Sequence, residues 1–110
     1  MNEKLLQIIN HYGVMPQLKY FQSEVFELNE AILNRENPNC ILRPLYNLNA
    51  NLNGKKPSEI KHIIEEIADV MVMLEQFKLY YGITDEEVKN IMNQKIDRQL
   101  ERIENENKNN

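Results

Sequence analysis

A chain of 110 residues has room for one domain and not for two. Its net charge of −4 and pI near 5.2 argue against a protein built to coat nucleic acid, although a local basic patch is still allowed. With 42% hydrophobic residues, three Gly, four Pro and no long Val/Ile/Thr runs, the composition argues for helices and against a sheet.

In chain order, the first helix is expected over residues 2–12, where Leu5, Leu6, Ile8 and Ile9 recur, with a stop near Gly13 and Pro16. A second helix is expected from about Pro16 to Asn34. Leu18, Phe21, Val25, Leu28 and Ile32, spaced three and four apart, give it one apolar stripe. Residues 35–57, rich in Asn, Pro and Gly, read as a loop with one helical turn around Leu42 to Leu48.

Ser58 suits the N-cap of a third helix, with Glu59 in its first turn. The stripe of that helix is Ile60, Ile63, Ile67, Val70, Met71, Leu74 and Phe77, and Gly82 ends it. Thr84 and Glu87 then have the spacing of a capping box. The fourth helix follows to about Glu104 on Val88, Met92, Ile96 and Ile103, leaving residues 105–110 as a polar, frayed tail. The expectation is a single all-α domain over residues 1–104, a four-helix bundle.

No run of residues approaches the roughly 20 apolar positions of a membrane span. Met1 is followed at once by Asn2, Glu3 and Lys4, so no signal peptide is expected and the chain is read as cytoplasmic. Cys40 is the only cysteine, which rules out an intrachain disulfide and suits a reduced thiol. A chain this short buries a limited share of its surface, and self-association is a natural way to complete its core.

Two carboxylate pairs carry the chemical signal: Glu24 with Glu27, and Glu66 with Asp69, each spaced i, i+3 so that both side chains leave one helix face. At 100° per residue, Glu24 and Glu66 each lie roughly 80° from the centre of their own apolar stripe, on the same side. Antiparallel packing of the two stripes would therefore bring all four carboxylates along one edge of the seam, with Ala31 and Met73 filling out that edge. Carboxylates crowded together oppose ionisation, and a hard divalent cation with oxygen ligands relieves this; Mg²⁺ or Mn²⁺ suits helix-borne carboxylates. A single i, i+3 pair is usually a solvated face, whereas two pairs at matching offsets beside two stripes are rarer. Glu30 and Glu65 read as surface charge, and His62, one turn before Glu66, as an exposed residue or an outer partner of the site. His11, Tyr12 and Tyr20 show no catalytic logic, and Tyr80 and Tyr81 read as packing residues.

Gln17-Leu18, Glu24-Val25-Phe26-Glu27-Leu28 with Ala31-Ile32, and Glu65-Glu66-Ile67-Ala68-Asp69-Val70 resemble the ExxE…EExxD signature of MazG-like all-α nucleoside-triphosphate pyrophosphohydrolases. That superfamily also holds dimeric dUTPases and phosphoribosyl-ATP pyrophosphohydrolases. The similarity extends through Leu74, Tyr81-Gly82-Ile83 and the basic helix from about Lys95, most of residues 12–103. One departure is Ser23, where members often carry Glu.

The resemblance implies Mg²⁺-dependent hydrolysis of an NTP or dNTP to the monophosphate and pyrophosphate, with Glu24, Glu27, Glu66 and Asp69 as metal ligands. It also implies a homodimer or homotetramer with sites near the subunit boundary. Lys95, Arg98 and Arg102, three and four apart on the last helix, would meet the phosphates. The competing role for those three is pairing with Asp97, Glu101 or Glu66 across the bundle. The base preference is not legible, a dUTPase-like substrate stays open, and so does a non-catalytic helical interaction module.

Overall fold

The computed structural model describes residues 1–36 and 57–109, with residues 57 and 58 described by their backbone only. The expected loop over 35–57, its helical turn at Leu42–Leu48 and Cys40 lie almost wholly or wholly outside the described residues. Four helices and no strand are found among the described residues: α1 Asn2–Tyr12, α2 Val14–Glu36, α3 Pro57–Tyr80 and α4 Asp85–Asn109. None is long and apolar enough to cross a membrane.

A single residue separates α1 from α2. Gly13 takes φ +88, which a side chain would resist, and its N–H still closes on the Ile9 carbonyl at 2.8 Å. α2 begins at Val14, ahead of the expected Pro16, because a proline in the first helical turn removes an N–H that has no intrahelical partner there anyway. α3 likewise begins one residue early, with Pro57 at its first position and Ser58 inside the helix.

The stop and restart between α3 and α4 match the sequence signals. Gly82 at φ +68 closes α3 in a Schellman arrangement, with Ile83 N–H on the Lys78 carbonyl at 2.8 Å and Gly82 N–H on the Leu79 carbonyl at 3.2 Å. Thr84 and Glu87 form the reciprocal capping box: Glu87 N–H meets Thr84 Oγ1 and Thr84 N–H meets Glu87 Oε1, both at 3.1 Å. α4 runs on to Asn109, past the expected end at Glu104, so most of the expected frayed tail is helical; Lys108 pairs with Glu104 one turn earlier at 3.6 Å.

α2 and α3 pack antiparallel, as the order of their cross-contacts shows. Gln17 meets Gln76, Phe21 meets Phe77 edge to face at 5.6 Å, and Arg35 Nε meets Glu59 at 2.9 Å. α1 presses Leu5 and Ile9 onto this pair, chiefly onto α3.

The seam is not centred where the apolar stripes predict. On α2 the buried line is Gln17, Glu24, Ala31 and Arg35, while Leu18, Val25 and Ile32 are exposed. On α3 it is Glu66, Met73 and Gln76, with Ile67, Met71 and Leu74 exposed. Both helices are turned toward their polar flank, where Gln17 and Arg35 of α2 find Gln76 and Glu59 of α3 across the seam, which a one-helix pattern cannot register. α4 stands apart: it buries no residue and packs along neither α1 nor α2.

Candidate metal and nucleotide site

The turn of the seam sets the site. Glu24 on α2 and Glu66 on α3 are buried, 5% and 9% exposed, and Asp69 stands beside them at the solvent edge. One oxygen from each of the three lies within 4.8 Å of the others. Glu27 is exposed and outside this tight triad, yet its charge bears on both Glu24 and Glu66 and it comes within hydrogen-bonding reach of Glu66. Three of the four expected carboxylates are thus brought together and the fourth stands at their rim.

Burial pushes the Glu24 carboxyl above its ordinary range, against a hydrogen bond from Tyr20 that favours the charged form, and the charges of Glu27 and Asp69 push it further up. Burial also raises Glu66, with the charge of Glu27 adding to the shift and His62 opposing it. The Tyr20 hydroxyl is raised in turn, first by its hydrogen bond to Glu24 and then by the surrounding negative charge. His62 Nδ1 lies 3.9 Å from Glu66 Oε1 with its ring mostly in solvent, an outer neighbour of the site.

One oxygen of Glu24 and one of Glu66, Oε2 in each case, are fully buried without a hydrogen-bond partner. A buried carboxylate oxygen without a donor is costly. Oxygen donors of this kind, close together and like-charged, match the ligand preference of Mg²⁺ or Mn²⁺. The residues present fit such an ion.

Beside the carboxylates opens a cleft of about 590 Å³, within the size range of small-molecule sites. Asp69 and Tyr20 form its border with the carboxylates, Tyr12 and Ile8 come from α1, and the amides of Gln17 and Gln76 lie in its wall. Gln17 Nε2 donates to Gln76 Oε1 at 2.8 Å, and Gln76 Nε2 reaches Met73 Sδ at 3.7 Å, so the two amides are fixed in orientation. Sequence reasoning gave Tyr20 and Gln76 no role. A tyrosine four residues before Glu24 was the available signal, since that spacing places both on one face.

The basic residues are not gathered here. Lys95, Arg98 and Arg102 are exposed on α4, and none makes an ion pair with a described acidic residue. The pairing across the bundle with Asp97, Glu101 or Glu66 is likewise not formed among the described residues. No family model, curated protein or solved structure matches this chain.

Proposed function

We propose that this chain is a MazG-like pyrophosphohydrolase that hydrolyses a nucleoside triphosphate to the monophosphate and pyrophosphate. The observation that carries the reading is the pair of buried, partnerless carboxylate oxygens on Glu24 and Glu66 beside Asp69, opening onto a cleft of nucleoside size. Glu24, Glu27, Glu66 and Asp69 would hold one or more Mg²⁺ ions, with Mn²⁺ as a substitute. Bound there, the cation supplies neutralisation of phosphate charge and a lowered pKa for a coordinated water.

The chain's own residues divide the remaining work. Tyr20, by its hydrogen bond, holds the Glu24 carboxylate in place. Glu27, outside the tight triad and open to solvent, takes the proton of the water that attacks the α-phosphorus. As the new P–O bond forms, the bond to the bridging oxygen breaks and pyrophosphate leaves with its electron pair. Tyr12 and Tyr20 offer ring faces to a base, while Gln17 and Gln76 offer fixed amides to its polar edge. Lys95, Arg98 and Arg102 stabilise the departing pyrophosphate only if a second copy presents them, which agrees with assembly as a homodimer or homotetramer.

The test is a panel of NTPs and dNTPs with Mg²⁺, scored for pyrophosphate against orthophosphate. Pyrophosphate from at least one member supports the reading, and orthophosphate alone overturns it. A non-catalytic helical interaction module is the competing reading, favoured by the lack of any buried residue on α4. It predicts no turnover and no thermal shift with Mg²⁺.

A further inference from the structure

Tyr20 belongs to the carboxylates and to the cleft at once. It stands one turn before Glu24 on α2, about 40° around the helix toward the flank that carries Glu27. Its hydroxyl is within hydrogen-bonding reach of the Glu24 carboxyl, and the charges of Asp69 and Glu27 bear on it. Its ring lies in the wall of the cleft of about 590 Å³, together with Tyr12, Pro16 and Val72. The side chain is 56% exposed, so packing within the chain locks neither the ring nor the hydroxyl. Glu24 is the opposite case. It is buried, one of its oxygens meets no donor, and the Tyr20 hydroxyl is the donor that favours its charged form.

We propose that Tyr20 couples the cleft to the carboxylates: a nucleoside packed on its ring fixes its hydroxyl on Glu24 and so tightens divalent-cation binding, even when the nucleoside carries no phosphate. This rests on the proposed function, in which Glu24 is a metal ligand and the cleft holds a nucleoside. Ordering an exposed tyrosine has a free-energy cost that falls on whichever ligand binds first, and the second ligand is spared it. The gain is the cost of immobilising one side chain, about 3- to 10-fold in dissociation constant. Linkage makes it reciprocal, so the cation raises nucleoside affinity by the same factor. An uncharged nucleoside brings no charge to the cluster, and the coupling therefore passes through a side chain that touches both places. Asp69 also borders both, but it offers a base no ring to stack on. The consequence is discrimination. Inorganic triphosphate, having no base, meets a cation site weaker by that factor than the one a nucleotide meets.

The test is calorimetric titration of Mg²⁺ into the full chain, alone and with millimolar deoxyadenosine, deoxyguanosine, deoxycytidine, thymidine or deoxyuridine. Binding of each nucleoside is followed separately by saturation-transfer NMR. In the parent, at least one nucleoside should bind and lower the Mg²⁺ dissociation constant about 3- to 10-fold. Tyr20→Phe keeps the ring and removes the hydroxyl, so the same nucleoside should still bind while Mg²⁺ affinity is equal with and without it. Tyr20→Gln keeps a donor at the same i, i+4 spacing and removes the ring. It should hold Mg²⁺ as the nucleoside-free parent does, bind the nucleoside more weakly and show no tightening. Two variants at one exposed position, each checked for helicity by circular dichroism, keep the test readable if one of them fails to fold. Absence of Mg²⁺ binding or of binding by every nucleoside overturns the proposal, and so does a Mg²⁺ affinity that ignores a bound nucleoside. A coupling that survives Tyr20→Phe also overturns it, since it would then run through Asp69. Pyrophosphate release from a nucleoside triphosphate without coupling removes this proposal and leaves the hydrolytic reading intact; coupling without pyrophosphate release does the reverse.

Discussion

Replacing Glu24 by Gln should separate the cost of the carboxylate cluster from its use. Without divalent metal, Glu24 and Asp69 place like charges within 4.8 Å. At an effective dielectric of 20 this repulsion is about 3.5 kcal/mol. Asp69 is open to solvent, and screening there brings the usable figure down to about 1–2 kcal/mol. The amide still accepts from Tyr20 but more weakly, a loss of about 0.5–1 kcal/mol. The variant should therefore melt at the parent's temperature or a few degrees above it in EDTA.

With Mg²⁺ at a hundred times its dissociation constant, linkage stabilises the parent by about 2.7 kcal/mol. For a chain of this size that is a rise of roughly 10 °C in Tm. The variant, short of one ligand, should rise by much less. Differential scanning fluorimetry with and without Mg²⁺ reads all four values. A variant several degrees less stable than the parent in EDTA would show that Glu24 is held by a partner and not by need of a cation. A variant with the full Mg²⁺ shift would remove it from the ligand set.

Three further outcomes follow from the same structure. Gln76→Met alone should cost about 1–3 kcal/mol in urea unfolding because it strands the buried Gln17 amide, whereas Gln17→Met with Gln76→Met should cost less than the sum of the two. The Glu87 carboxyl is held below its ordinary 4.5 by the Thr84 hydroxyl and the Thr84 N–H. Its capping contribution is present above about pH 4.5 and is lost as pH falls through the lower folded value, so acid loss of α4 helicity should be blunted in Glu87→Gln, as circular dichroism will show. Arg98→Gln or Arg102→Gln should lower kcat/KM while changing stability by about 0–1 kcal/mol, because both side chains are exposed; a large fall in Tm with normal kinetics would mean that they lock structure instead.

What could be read from the sequence was local. Gly82, Thr84 and Glu87 punctuate the chain through bonds spanning only a few residues, and they stand where their spacing predicts. The two i, i+3 carboxylate pairs were legible for the same reason, since helical geometry alone puts each pair on one face. The rotation of α2 and α3 was not legible. Leu18, Val25 and Ile32 form a better stripe than Gln17, Glu24 and Arg35, yet the latter are buried, with Gln17 and Arg35 meeting Gln76 and Glu59 across the seam and Glu24 carried in between them. Those pairings join residues more than twenty positions apart and leave no period in either helix. The same rotation exposes Leu18, Val25, Ile32, Ile67, Met71 and Leu74, which the stripes assigned to the core, while Tyr20 meets Glu24 through their i, i+4 spacing on α2. The placement of Lys95, Arg98 and Arg102 depends on where α4 goes after Gly82, which a helix-by-helix reading cannot give.

The central claim is attack by water at the α-phosphorus of a nucleoside triphosphate, organised by Glu24, Glu27, Glu66 and Asp69. Its most direct measurement is turnover in ¹⁸O-labelled water with Mg²⁺, followed by mass spectrometry of the separated products, with Glu66→Gln and Asp69→Asn run in parallel. One ¹⁸O atom should appear in the nucleoside monophosphate and none in the pyrophosphate, and both variants should be inactive while keeping their helicity. Label in pyrophosphate or orthophosphate, or full turnover by both variants, would contradict the account.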